Sequence, residues 1–195
     1  MYNLKSALDG VVFNGFSKVS EAPLQGMVTL RADLSDPAVQ RALTSLAQTA
    51  MPCVRGIEMS VDPASQGRAL AWMSPDEVLV LLPYAEVPQA IAELTAGLAG
   101  THAMAVNVSD ARAMFTVNGS AARDVLGKVC PVDFAPEVFC QGQMRRTRAA
   151  QVAVAVWQTA DDSFQVICFR SVAQYVFDVL CDAARPGGEV GYYAG

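Results

Sequence analysis

The chain has 195 residues and a net charge of −5, with a pI near 4.8, which excludes the concentrated basic face that nucleic-acid binding requires. Its 52% hydrophobic and 17% charged content is more apolar than the usual soluble balance of about 45–50% and about 25%. That excess needs covering, by a core or by another subunit. No run approaches the roughly 18 apolar residues of a membrane span, and the N-terminus lacks a basic region followed by an apolar stretch, so a cytoplasmic location is expected.

In chain order, residues 1–26 contain Gly10, Gly15 and Pro23 without sustained periodicity and read as an extended arm. Met27–Asp33 reads as a strand. Ser35-Asp36-Pro37 opens a helix whose Val39, Leu43, Leu46 and Ala50 share a face, and Met51-Pro52 stops it. Gly56–Val61 alternates as a strand before a loop from Asp62 to Gly67. Ala69–Trp72 then precedes a polar turn at Ser74–Glu77, the strand Val78–Leu82 and a helix carrying Val87, Ile91, Leu94 and Leu98. Met114–Val117 is β-prone, Asn118-Gly119 signals a turn, and Ser120 is the expected N-cap of a helix carrying Ala121, Val125, Leu126 and Val129. Pro131 stops that helix, since it lacks an N–H and clashes with the preceding turn.

Farther on, Val154–Trp157, a turn at Ala160–Ser163, the strand Phe164–Cys168 and a helix with Val172, Tyr175, Val176, Val179 and Leu180 repeat the earlier order. Trp72 and Trp157 keep the spacing of Asp76 and Asp161. The expected fold is therefore α+β: duplicated split β-α-β units, with antiparallel sheets covered by helices on one face. Residues 27–105 form the first half, 106–184 the second, and 185–195 a flexible tail.

Few residues invite chemistry. The single histidine, His102, lies at a helix-to-strand junction with no acid or nucleophile beside it, and reads as a helix C-terminal cap. Five cysteines at 53, 130, 140, 168 and 181 lack paired metal or redox spacing and read as reduced thiols. Asp76-Glu77 and Asp161-Asp162 read as turn formers, because adjacent side chains point different ways. Asp110, Arg112, Arg123 and Asp124 read as architectural. No GxGxxG, Walker A or GxSxG pattern occurs. Catalytic, cofactor-binding and metal residues are thus expected to be absent from this chain. Arg145, Arg146 and Arg148 admit two readings, a grip on a partner's carboxylates or charge guarding a strand edge.

Three blocks carry a resemblance: Val108-Ser-Asp-Ala-Arg-Ala, Gly119-Ser-Ala-Ala-Arg-Asp-Val-Leu-Gly-Lys-Val-Cys-Pro-Val-Asp, and Phe169-Arg-Ser-Val-Ala-Gln-Tyr-Val-Phe-Asp-Val-Leu-Cys-Asp-Ala-Ala. Their wording resembles the gamma subunit family of heterotetrameric sarcosine oxidase, over about Leu70 to Ala184. The resemblance implies a folate-binding-domain-like fold related to aminomethyltransferases. It also implies alpha, beta and delta partner subunits that hold FAD, FMN, NAD, tetrahydrofolate and zinc. The implied reaction is oxidative demethylation of sarcosine to glycine, with this chain serving assembly and stabilisation. Folate-binding relatives hold the pterin with an acidic residue in a glycine-containing loop, and no Gly-Gly-x-x-Asp-Asp pattern stands here. A stand-alone folate-binding or one-carbon transfer protein, and the equivalent subunit of an N-methylglutamate dehydrogenase, are the alternatives.

Overall fold

The computed structural model describes residues 4–65 and 67–193. Two short strands come first, β1 (Val12–Asn14) and β2 (Lys18–Glu21). The extended arm expected over residues 1–26 is corrected by them; Met1–Asn3 lie outside the described residues. The reason is long-range pairing: Lys18 through Glu21 align antiparallel with Asn118 through Phe115, a partner no local pattern announces. Gly15 makes the approach possible, because a Cβ there would lie 1.9 Å from the Ala184 carbonyl oxygen, which accepts the Phe16 N–H at 3.0 Å.

β3 (Gln25–Arg31) is followed by α1 (Pro37–Ala47). The Asp36 carboxylate accepts the Ala38 N–H at 2.7 Å, and Pro37 sits in the first turn, where a missing N–H is harmless. The helix ends at Gln48, whose φ is 52°, before Met51-Pro52 is reached. Next come β4 (Ile57–Met59), β5 (Ala69–Ser74), β6 (Glu77–Pro83), α2 (Val87–Gly97) and β7 (Met104–Asn107). Gln66, within the loop expected between β4 and β5, lies outside the described residues. The rest of the chain gives β8 (Arg112–Asn118), α3 (Ala122–Val129), β9 (Met144–Ala149), β10 (Val152–Ala160), β11 (Ser163–Phe169) and α4 (Ala173–Ala183).

These elements form an α+β fold of antiparallel sheets, in two compact units. Leu24–Ser109 is one; the chain up to Pro23 together with Asp110 onward is the other. In the first unit the strand order is β4-β5-β6-β3-β7. Alternation turns Val28, Leu30, Val78, Val80 and Leu82 toward Val39 and Leu43 of α1 and Leu94 of α2. In the second unit the order is β1-β2-β8-β11-β10-β9. Its Phe115, Val117, Val154, Val156, Phe164 and Val166 pack with Val125 and Leu126 of α3 and Val176 and Leu180 of α4. Each such fully buried side chain contributes about 1.5–3 kcal/mol relative to exposure. Tyr175, expected on the packed face of α4, is exposed.

The two hairpins match one position away from the tryptophan spacing. Ser74 pairs with Glu77 and Trp72 with Val78, whereas Ala160 pairs with Ser163 and Gln158 with Phe164. Both ladders shift register just before the turn, at Met73 and at Thr159. Trp72 thus holds the place of Gln158, and Trp157 that of Ala71. Trp157 is fully buried while Trp72 is half-buried.

Candidate functional site

The charged residues of the second unit converge on α3. Gly119, at φ 127°, turns the chain from β8 into the helix, donating its N–H to the Asp162 carbonyl at 2.9 Å and accepting from Ala122 at 2.8 Å. The cap is Ala121, without a side-chain hydrogen bond, rather than the Ser120 expected from sequence. Ser120 is exposed, and the tight turn held by Gly119 places the helix start one residue later.

Arg123 and Asp124 are both buried, and each is engaged by its own chain. Arg123 Nη1 donates to the Phe134 and Phe139 carbonyls at 2.6 and 2.9 Å, and Nη2 donates to Gln158 Oε1 at 3.2 Å. Its guanidinium lies 5.1 Å from the centre of the Phe164 ring, beside the edge-on pair Phe134 and Phe139. One planar fork thereby pins the connection between α3 and β9. Asp124 accepts the Gly191 and Tyr193 N–H groups at 2.9 and 3.2 Å. Tyr193 Oη accepts from Phe134 N at 3.3 Å, and Lys128 Nζ donates to the Ala183 carbonyl at 2.8 Å and to that of Gly188. The tail expected to be flexible over 185–195 is therefore tied to α3 through Tyr193; Ala194 and Gly195 lie outside the described residues.

Between the helix start and the tail is a cavity of about 460 Å³ lined by Ser120, Ala121, Asp124, Asp162, Glu189 and Tyr193. Its walls are acidic, yet both Asp124 oxygens are occupied by backbone donors. Among the described residues no cluster of three His, Cys, Asp or Glu is placed to hold a metal ion.

The other candidates are scattered. His102 is exposed in the α2–β7 connection. Asp76 accepts from the Ser74 hydroxyl, which holds its carboxyl below the usual range, and Glu77 pairs with Arg31 at 2.8 Å. Asp161 and Asp162 form the β10–β11 turn, Asp162 with φ 56°. The Arg112 guanidinium lies 4.0 Å from the Phe169 ring centre. Burial pushes the Cys130 and Cys168 thiols up to about 12 and Cys181 to about 11, while Cys53 and Cys140 are exposed. The three arginines of β9 divide: Arg145 is half-buried, bonded to the Met144 carbonyl and Gln143 Oε1 at 2.9 Å each, while Arg146 and Arg148 are exposed.

Sequence reasoning missed Glu21. Buried in β2, it accepts from Ser6 Oγ at 2.7 Å, Leu8 N at 2.9 Å and Gly10 N at 2.8 Å, folding the N-terminal segment onto the sheet. Nothing in Lys-Val-Ser-Glu distinguishes such a carboxylate from an exposed one. Lys128, Gln158 and Tyr193 were missed for the same reason, since their partners come from distant segments.

Comparison with known proteins adds a family. The model of the sarcosine oxidase, gamma subunit family matches residues 31–186, beginning well before the stretch recognisable by eye. The chain is 32% identical over 149 residues to a sarcosine oxidase subunit gamma of Arthrobacter sp., covering 74% of this chain and 71% of the relative. It is 30% identical over 142 residues to the subunit gamma of Corynebacterium sp. strain P-1, covering 73% and 68%. Among solved structures, a chain of the heterotetrameric sarcosine oxidase from Corynebacterium sp. U-96, in complex with pyrrole 2-carboxylate, is similar with a TM-score of 0.77 at 24% identity, over 92% of this chain and 86% of that one. Aminomethyltransferase T of the glycine cleavage system from Bartonella henselae is similar with a TM-score of 0.60 at 12% identity, over 85% and 45%. At these identities the structural matches concern fold alone.

Proposed function

Because this chain belongs to the sarcosine oxidase gamma subunit family, we propose that it is the non-catalytic gamma subunit of a heterotetrameric oxidase, acting in assembly and stabilisation. On this reading the alpha, beta and delta subunits hold FAD, FMN, NAD, tetrahydrofolate and zinc, in the cytoplasm. The reaction is oxidative demethylation: sarcosine loses two electrons and its methyl carbon to give glycine. The carbon leaves as formaldehyde or passes to tetrahydrofolate, and oxygen is reduced to hydrogen peroxide.

The observation that carries the non-catalytic role is the engagement of the buried charged side chains. Glu21, Arg123 and Asp124 are each bonded by groups of this chain, which makes them struts of the fold. A chain whose buried charges stabilise itself contributes shape and surface, and the exposed arginines of β9 are the surface it offers a partner.

We also infer that the two units are copies of one split β-α-β plan. Support comes from the shared order: β3-α1-β4-β5-β6-α2 in one unit parallels β8-α3-β9-β10-β11-α4 in the other. The strands occupy equivalent places in the two sheets, with the N-terminal β2 standing beside β8 where β7 stands beside β3.

Purification alone and with the other subunits tests the role. The isolated chain is expected to show no oxidase activity and no flavin absorbance, and to join the complex on co-expression. A yellow, active preparation of this chain by itself would refute the reading.

A further inference from the structure

Compared strand for strand, the two sheets match except at one end. β2, β8, β11, β10 and β9 follow in the order of β7, β3, β6, β5 and β4. Beyond β2 the six-stranded sheet adds β1, whose Val12, Phe13 and Asn14 pair antiparallel with Ser20, Val19 and Lys18. Beyond β7 no strand follows among the described residues. Sheet edges are guarded against pairing by charge or by shortness. β9 carries three arginines, β4 carries Glu58 and β1 has three residues, whereas β7 reads Met-Ala-Val-Asn, without a charge.

The register of β7 decides what that edge presents. Val108 N donates to the Met27 carbonyl at 2.9 Å, which makes Met27 and Val108 a hydrogen-bonded pair, and bonded and non-bonded pairs alternate along an antiparallel ladder. Thr29 with Val106 and Arg31 with Met104 are the next bonded pairs. Ala105 and Asn107 therefore turn their N–H and C=O groups away from β3. Alternation also divides the side chains between the faces. Ala105, opposite Leu30, packs partly buried against the core under α1 and α2, while Met104 and Val106 lie on the other face, 52% and 40% exposed. The Asn107 side chain is already committed, accepting from Ser109 N and Oγ at 3.0 and 2.7 Å. Outward backbone groups thus alternate with exposed apolar side chains along four residues.

We propose that β7 is a docking edge that takes an apolar extended segment of a partner subunit as an added strand, in the place that β1 fills beside β2. The inference rests on the reading of this chain as a subunit. An antiparallel segment would exchange backbone hydrogen bonds at Ala105 and Asn107. Its residues opposite Met104 and Val106 would stand about 4.5 Å away between Cα atoms, where apolar side chains cover the two exposed ones. A second copy of this chain is disfavoured as the occupant. Two four-residue strands with two partly exposed apolar side chains each fall far short of the roughly 1,200 Å² that a stable association buries. A segment tethered to a subunit that the rest of the complex holds meets the edge at high effective concentration and needs no such area.

The test co-expresses the full-length chain with the other three oxidase subunits and compares wild type with Ala105→Pro. That substitution removes an N–H that β3 does not use, and proline is tolerated on an edge strand at such a position. The proposal expects wild type to co-purify and the variant to lose at least about tenfold of the captured partner, with its circular dichroism unchanged. Hydrogen exchange on the wild-type complex is expected to show protection of the Ala105 and Asn107 amides that the isolated chain lacks. Unchanged capture by Ala105→Pro, or no added protection, would overturn the docking edge and leave the subunit reading standing. Failure of wild type to co-purify would overturn both. Should the proline unfold the chain, the double variant M104K/V106K replaces it, since both side chains are exposed: weakened capture supports the proposal and unchanged capture overturns it. Self-association of the isolated wild-type chain that either variant abolishes would show that the edge takes a second copy, and would overturn it.

Discussion

Replacing Arg123 with methionine keeps much of the aliphatic length of the side chain and removes the guanidinium. The substitution leaves the Phe134 and Phe139 carbonyls and the Gln158 Oε1 without their donor, in a region where Arg123 is only 8% exposed. A buried acceptor stripped of its donor costs about 1–3 kcal/mol. Three acceptors in the lower half of that range, with the buried Gln158 amide held by its own Nε2 donation to the Ala160 carbonyl at 3.1 Å, give a loss of about 3–5 kcal/mol. The contact with the Phe164 ring, worth about 0.5–2 kcal/mol, goes as well, though the methionine sulfur recovers part of it. For a chain of this size 1 kcal/mol corresponds to about 2–4 °C, so the melting temperature should fall by about 10 °C. Urea unfolding followed by tryptophan fluorescence measures the free-energy loss, and a thermal melt with the same probe the shift in temperature, since Trp157 lies next in sequence to Gln158. Arg123→Lys, which keeps the charge but not the fork, should fall between the two. A loss below about 1 kcal/mol in Arg123→Met would show that the fork is not what pins the α3–β9 connection.

Glu21→Ala removes the acceptor for Leu8 N, Gly10 N and Ser6 Oγ, and should release the N-terminal segment at a cost of about 2–4 kcal/mol; limited proteolysis before Val12 reports it, and a protected segment would contradict the assignment. Asp124→Ala frees two backbone donors of the tail, so amide exchange at Gly191 and Tyr193 should speed up at least about tenfold while the strands stay protected. At pH 8 a thiol reagent should modify Cys53 and Cys140 rapidly, the half-buried Cys181 more slowly, and Cys130 and Cys168 only on unfolding, as counted by mass spectrometry. Cys130 and Cys168 titrate near 12 when folded against 9.0 for an ordinary thiol, so between these values the native state binds more protons than the unfolded one. Stability should therefore fall as pH rises from about 9 toward 12, and Cys130→Ser or Cys168→Ser should flatten that slope.

Much of the fold was legible because it is written in local pattern. Ser35-Asp36-Pro37 announces α1 through an N-cap and a proline that needs no donor, and the run Val78–Leu82 announces a buried strand by composition. The cap at Ala121 was misread because Ser120 is the better capping residue, and the Gly119 turn outweighs that preference. The tryptophan spacing misled by one position, since a bulge in each hairpin is invisible to a count along the chain. The roles of Glu21 and Tyr193 were illegible because each depends on a segment far away in sequence.

By itself the sequence determined the family, the α+β class and the hairpin-helix order, since these follow from residue wording, period-two and period-3.6 patterns and turn chemistry between near neighbours. Only the tertiary structure decided that the N-terminal strands complete a sheet, that Arg123 and Asp124 face inward, and that Arg146 and Arg148 are exposed on β9 while Arg145 is half-buried. Strand pairing and burial are set by which distant segments meet. A carboxylate or a guanidinium has the same local signature whether it braces a fold or waits for a partner.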